Sequence, residues 1–253
     1  LLVFSSCTGH WLSFSPHMGL SEGLAGSAWS SRLLCPPSPA LGAPGAQLLR
    51  LPGSGAIPTA AVVELDASAM VAVPTNTLYS LACSGRSEAK LLAVCLGLVA
   101  DIYRYCHVRA PEGLLKDLLP VPMTLVMERS EQLNKDLNPF TPLVGIRIPD
   151  HAFMQDLARV FGGPLPLTSA NLSSQASSLN VEEFQDLWPQ LSLVIDGEPA
   201  GDGQSSEYHL GSAVVDVSVP GRFGIICPGC ALESTTAILQ QKYRLLPSYR
   251  SCL

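Results

Sequence analysis

The stretch Leu165-Pro-Leu-Thr-Ser-Ala-Asn171 sets two hydrogen-bonding side chains two residues apart. In extended backbone alternate side chains share a face, so Ser169 and Asn171 point the same way and place a hydroxyl beside a carboxamide. Donors and acceptors together at the carboxyl end of a buried strand can hold a phosphate or a nucleotide. On this segment alone the plainer account is preferred: a strand that turns into a loop, with Asn171 as a turn residue. Cys227-Pro-Gly-Cys230 has the spacing of half a zinc or redox site. A lone pair of this kind, without a second ligand pair, is a weak signal. No Walker A loop and no Gly-x-Gly-x-x-Gly is found, so a bound nucleotide is not held by those devices.

The elements that must carry these residues are apolar. Of 253 residues, 47% are hydrophobic and 14% charged, enough for a substantial core and too apolar for wholesale disorder. A net charge of −6 gives no global basic field for nucleic acid. No apolar run approaches the roughly 20 residues of a membrane span. Cysteines such as Cys95 sit inside apolar runs, which suits reduced, buried thiols and an intracellular protein.

Residues 1–58 are rich in Ser, Gly and Pro and are expected to be disordered. The block is Ser-rich and poor in acidic residues, as transit peptides are, but its Arg32 and Arg50 are too few to assign one. Residues 59–248 read as one folded domain and 249–253 as a tail. Strands are expected at 70–73, 91–96, 123–127, 143–148, 165–167 and 193–195. A hairpin is expected from 213–219 and 223–226, turning at Pro220-Gly221. Helices are expected at 99–106 and at 111–119, the second with Pro111 in its first turn. Asp150 is expected to cap a helix bearing Phe153, Leu157 and Phe161 on one face and ended by Gly162-Gly163. Asn180 with Glu183 resembles a capping box, and Ser234 or Thr235 is expected to cap a last helix. Interleaved strands and helices imply an α/β domain.

Six segments in order resemble one family. They are Val73-Pro-Thr-Asn-Thr-Leu-Tyr-Ser-Leu-Ala82, 85–94, 144–149, 168–171, 212–216 and 225–229. Together they are similar to the Pro-Thr-Asp/Glu-Thr-x-Tyr-Gly-Leu, Lys-x-Arg, Val-x-Arg-x-Pro, Ser-x-Asn, Ser-Thr-x-x-Asp and Arg-Pro-Gly segments of the YrdC-like threonylcarbamoyl-AMP synthases. The likeness covers about residues 60–246. It implies a twisted mixed β-sheet with flanking helices and a concave binding cavity. The implied reaction converts L-threonine, bicarbonate and ATP, with magnesium, to threonylcarbamoyl-AMP and pyrophosphate. The product feeds modification of adenosine 37 in tRNA by a downstream tRNA threonylcarbamoyl transferase machinery. Binding of tRNA or double-stranded RNA and a cytoplasmic and mitochondrial location are implied as well. By the same resemblance Arg86, Ser169, Asn171 and Ser177 bind ATP, and Thr75, Arg147 and Ser212 bind threonine. No covalent nucleophile and no protein-held metal is implied. Taken singly, Arg86 and Arg147 read as ordinary surface charges and Thr75 and Ser212 as turn residues.

The departures from the family fall on the chemistry. Asn76 replaces an acidic residue, Ser84 the lysine of Lys-x-Arg, Ala213 a threonine and Cys227 the arginine of Arg-Pro-Gly. Cys83 runs almost directly into Arg86, where a helix's length of chain is expected to be missing. An impaired catalyst that retains RNA or partner binding is therefore the alternative to a working synthase. A working one needs replacement cations, for which Lys90 and Arg104 are candidates.

Overall fold

The computed structural model describes residues 46–51, 56–83, 93–137, 141–172, 176–197 and 211–248. In chain order the regular elements are β1 (Gln47–Arg50), α1 (Ile57–Asp66), β2 (Val71–Val73), β3 (Ser80–Ala82), β4 (Ala93–Cys95), α2 (Val99–Tyr105) and β5 (Cys106–His107). They continue with α3 (Leu114–Leu118), β6 (Met123–Arg129), β7 (Leu143–Arg147), α4 (Ala152–Phe161) and β8 (Leu165–Ser169). A 3-10 stretch Val181–Gln190 precedes β9 (Leu193–Asp196), β10 (Ala213–Asp216), β11 (Arg222–Cys227), α5 (Leu232–Ala237) and β12 (Leu246–Pro247). Among the described residues the strands form one twelve-stranded sheet in the order β1-β9-β2-β3-β8-β4-β7-β6-β10-β11-β12, with β5 beside β6. Parallel and antiparallel ladders are mixed along it, so the expected mixed α/β architecture is the one observed.

Alternation along the strands divides the core. On one face, Val71, Val73, Ala82, Leu165, Leu167 and Cys95 meet α1 and α4 through Ile57, Ala61, Leu65, Met154 and Leu157. The opposite face carries Val94, Ile146, Leu125, Met127 and Val215 under α2, α3 and the chain after α5. The 3-10 stretch seals the β2–β3 end of that second face through Val181, Phe184 and Leu187.

Several local expectations need correction. Strand β1 lies inside the block expected to be disordered; Leu48 and Leu49 pair in parallel with Val194 and Ile195 of β9. Helix α1 was not foreseen: its start is set by Pro58 in the first turn, and Ala61 and Leu65 are fully buried on it. Asp150 does not cap α4; His151 holds that position in extended backbone without a side-chain bond. Pro111 is not in α3, because Gly113 adopts φ 85° just before Leu114 and breaks the helical path. Neither Ser234 nor Thr235 caps α5, which starts behind Ala231; Ser234 Oγ instead donates back to the Ala231 carbonyl at 3.1 Å. The capping box at Asn180 is present: Asn180 Oδ1 accepts from the Glu183 amide at 3.2 Å, and Glu183 Oε2 from the Leu179 amide at 2.9 Å.

Two measurements test these contacts. Asn180→Ala should cost about 1 kcal/mol in urea unfolding, the usual loss for a capping side chain. Burial holds His151 below its ordinary pKa of 6.5, so the folded state resists protonation there. Its contribution is complete above pH 6.5 and falls as pH drops toward the lowered value. His151→Gln should flatten the stability–pH curve just below 6.5 and leave it unchanged at pH 8.

Candidate functional site

β2 ends where Pro74 removes a ladder donor, and the chain leaves the sheet as a polar loop. Thr75 organises that loop. Its buried hydroxyl donates to the Leu78 carbonyl at 2.6 Å and accepts from the amides of Leu78 at 3.2 Å and Thr77 at 3.3 Å. Arg147, at the end of β7, donates through Nη2 to Thr75 Oγ1 at 3.0 Å, to Asn76 Oδ1 at 3.2 Å and to Thr77 Oγ1. Nη2 carries two hydrogens for three oxygens, so they are shared. The loop's far end is fixed by Tyr79, whose amide donates to Ser178 and whose carbonyl accepts from Ala170. Its phenol accepts from the Gly197 amide at 3.0 Å. Two glycines allow close approach. A Cβ on Gly197 would stand 2.5 Å from Pro74 Cγ, and one on Gly211 2.6 Å from Leu78 Cδ1.

The register places the candidates on one face. Ser80 opposes Ser169, Ala82 opposes Leu167, Leu167 opposes Ala93, and two residues on, Cys95 opposes Arg147. Extending the β6–β7 ladder by one residue sets Thr124 opposite Arg147. Thr124 opposes Val214, which opposes Cys227. Paired residues project to the same side, so Ser169, Arg147, Thr124 and Cys227 share the face on which α1 and α4 pack. Those helices cover its β2–β4 half. Toward β11 the described residues on that face form the small buried cluster Val126, Val214 and Cys227, with Leu143 and Ile226 against it. The Thr75 loop meets this part of the face through Arg147, and Ser212 reaches it by a 3.1 Å contact with Thr124 Oγ1.

Thr75, Asn76, Arg147 and Ser212 are thus gathered around one hollow. Ser169 lies further along the same face, at the end of β8. Ser178 Oγ donates to the Ala170 carbonyl at 2.7 Å, which holds the buried Ser177 beside the strand end that carries Ser169 and Asn171. Asn171 Nδ2 donates to the Leu172 carbonyl at 3.0 Å. These three form a second group joined to the first through Tyr79. Arg86, Ser84 and Lys90 lie outside the described residues. Arg104 sits on α2 and donates to Gln132 Oε1 at 2.8 Å, away from the hollow, so it supplies no replacement charge.

Sequence reasoning assigned no role to Thr77 or Thr124 and did not place Cys95 or Cys230 beside Arg147. The signal for Thr124 was available, a lone hydroxyl in the apolar run of β6. Cys230 packs by the hollow: its amide and thiol both reach the Gly211 carbonyl, at 3.2 and 3.3 Å. Burial pulls Arg147 down to about 10, still charged at neutral pH, and pushes the Cys95 thiol up to about 12. Cys83, Cys95, Cys106 and Cys230 are outside any disulfide, as reduced thiols would be, whereas Cys227 is disulfide-bonded, which departs from that expectation. Among the described residues no group of three or more His, Cys, Asp or Glu could hold a metal, so the Cys-x-x-Cys spacing builds no metal site there.

A family model, Sua5_yciO_yrdC, described as telomere recombination, matches residues 63–229. The chain is 70% identical to the Homo sapiens threonylcarbamoyl-AMP synthase, over 98% of each chain. It is 69% identical to the Bos taurus protein of that name, over 97% of this chain and 98% of that one. The 274 aligned positions of the human comparison exceed the 253 residues here, so at least 21 human positions have no counterpart. Among solved structures, Pyrococcus abyssi Sua5 complexed with L-threonine matches with TM-score 0.64 and 19% identity, over 80% of this chain and 62% of that longer one. Escherichia coli YciO matches with TM-score 0.61 and 17% identity, over 73% and 96%. At these identities the structural likeness concerns the fold.

Gly229 gives a local test. A Cβ there would lie 2.1 Å from the Ala213 amide nitrogen and 2.4 Å from the Ser212 carbonyl carbon, both backbone atoms. Gly229→Ala should therefore push Ser212 off Thr124 and destabilise by roughly 1–3 kcal/mol, read in urea unfolding. Ala→Gly changes at exposed Ala67 should not approach this.

Proposed function

Because this chain belongs to the Sua5/YciO/YrdC family, we propose that it is a threonylcarbamoyl-AMP synthase. The observation that carries this is 70% identity to the human enzyme of that name along essentially its whole length. In this reading the amine of L-threonine takes up bicarbonate to give a carbamate and water. A carbamate oxygen attacks the α-phosphorus of ATP, the bond to the β-phosphate oxygen breaks, and pyrophosphate leaves. The hollow suits the amino acid: a guanidinium for the carboxylate and the Ser212 hydroxyl for a polar group, while Thr75, its hydroxyl taken up by Leu78, Thr77 and Arg147, holds the loop and the guanidinium in place. Ser169, Asn171 and Ser177 suit the nucleotide by position and type, with Arg86 as the phosphate cation. Magnesium suits the triphosphate oxygens, since the described residues offer no carboxylate cage. Positioning and charge stabilisation supply the rate, without a covalent enzyme intermediate. The product serves a separate transferase acting on tRNA adenosine 37.

A second reading, a low-turnover copy that keeps binding functions, is favoured by the missing positions and by the lost cations. Position 227 lies on the site face, so an arginine there would add charge to the hollow, and cysteine does not. Two charged contacts are worth about 3–6 kcal/mol, or roughly 10²–10⁴ in binding or rate.

The assay is pyrophosphate release from L-threonine, bicarbonate and ATP, run beside the human relative. We expect release that requires all three and runs roughly 10²–10⁴ slower. Release indifferent to threonine would sink the synthase reading. The double change Ser84→Lys with Cys227→Arg should recover part of the rate; no recovery would assign the defect to the missing segment.

A further inference from the structure

Strand β1 contributes little to the core. It lies at the sheet edge, none of its residues is fully buried, and Leu48 is 37% exposed. Its pairing, however, reaches the site. The ladder between β2 and β9 runs through Val71–Leu193 and Ala72–Val194 and stops there. The ladder between β1 and β9 continues to Arg50–Asp196, and beyond it the Leu51 amide donates to the Asp196 carbonyl at 2.7 Å. The end of β9 is thus paired with the edge strand rather than with β2.

That end of β9 holds both feet of the Thr75 loop. At the first foot, Gly197 approaches Pro74 so closely that a Cβ on it would stand 2.5 Å from Pro74 Cγ; the same Cβ would lie 3.4 Å from Leu51 Cδ1. At the second, the buried Tyr79 phenol accepts from the Gly197 amide at 3.0 Å and bonds the Asp196 side chain. Burial, with the Asp196 charge behind it, pushes the phenol up to about 12, so it keeps the proton it donates to the carboxylate. Asp196 Oδ2 also meets Arg50 Nε at 3.2 Å. The Arg50 side chain is 76% exposed, and an ion pair so exposed is worth little. The backbone ladder therefore does the holding, and the ion pair aims the carboxylate. Tyr79 passes the constraint on, since its amide bonds Ser178 and its carbonyl bonds Ala170.

We propose that β1 is a positioning element for the hollow: by fixing Asp196 and Gly197 from the sheet edge, it sets where Tyr79 and Pro74 hold the Thr75 loop. Releasing this one edge strand loosens the loop and leaves both packed faces of the sheet intact. The bracing is independent of what the hollow binds; only its effect on turnover rests on the synthase reading.

The ladder supplies a matched pair of variants. Gln47 and Leu51 donate to Ser192 and Asp196, so Leu49, midway between them, aims its amide at β9, and Leu48 aims its amide outward. Leu49→Pro removes a ladder donor, and Leu48→Pro removes none. Hydrogen–deuterium exchange of the full chain reads the loop at the Thr77, Leu78 and Tyr79 amides and the core at β6 and β7. Leu49→Pro and Asp196→Ala should each speed loop exchange at least about tenfold and leave β6 and β7 within about twofold of wild type. Leu48→Pro should match wild type at both. In turnover the first two should lower kcat/KM for threonine about tenfold, and Leu48→Pro should not. Loop exchange unchanged in Leu49→Pro or in Asp196→Ala, or raised equally in Leu48→Pro, overturns the proposal. So does a Leu49→Pro chain that fails to fold or whose β6 and β7 exchange as fast as its loop, since β1 would then be part of the core. A wild type that releases no pyrophosphate removes the synthase reading, and the exchange result still decides the bracing.

Discussion

The contact between the Arg147 guanidinium and the Thr75–Thr77 loop is the constraint on which the hollow depends. Strands β3, β8 and β4 separate β2, which launches the loop, from β7, which carries the arginine. On a flat sheet four strand spacings put them about 19 Å apart. They nevertheless meet at 3.0 Å. Only a twisted sheet, a loop leaning across it and an arginine long enough to reach back can close that gap. The loop is not free to choose another path, since Tyr79 fixes its stem and Gly197 and Gly211 press on its flanks.

The same arrangement divides the work of stability and of binding across one sheet face. Where α1 and α4 lie, Val71, Val73, Leu165 and Leu167 are nearly or fully buried and the packing is continuous. Beyond β4 that layer stops and polar side chains take its place: Arg147, Thr124 and Ser212. An apolar layer there would gain burial and lose the hollow. The opposite face, packed with Leu114, Leu115, Leu118, Met123 and Leu125, holds the same strands in place from behind. The polar groups of the hollow thus sit on strands that a continuous apolar layer backs from the opposite face.

The sheet was legible in the sequence wherever burial wrote a continuous apolar run, as at β6, β7, β8 and β9. It was illegible where strands are three residues long or lie at an edge: β3 is Ser80-Leu-Ala82, too short for a period, and β1 sits in a Ser- and Pro-rich neighbourhood. Helix α1 escaped because Ala60, Ala61, Val62 and Val63 show no clear amphipathic stripe. Cap positions misled because Asp150 and Ser234 carry the right chemistry one or more residues away from the backbone geometry that uses it. For the site, Thr75, Arg147 and Ser212 could be named by resemblance to family segments. Their convergence could not, because it depends on strand order and on register between segments 70 residues apart. Thr77 and Thr124 were invisible for that reason: a threonine in a turn or a strand is ordinary until a guanidinium or a serine is seen beside it.

The parallel pairing of β1 with β9 has a further consequence. Gln47–Arg50 borders Leu193–Asp196, almost 150 residues downstream. During synthesis the N-terminal strand emerges long before its partner exists, at about 5–20 residues per second. It must wait, with Leu48 and Leu49 uncovered, until most of the chain has left the ribosome. The sheet can therefore grow from its local antiparallel pairs, such as β2–β3 and β6–β7, while its outermost N-terminal edge is among the last parts to be joined.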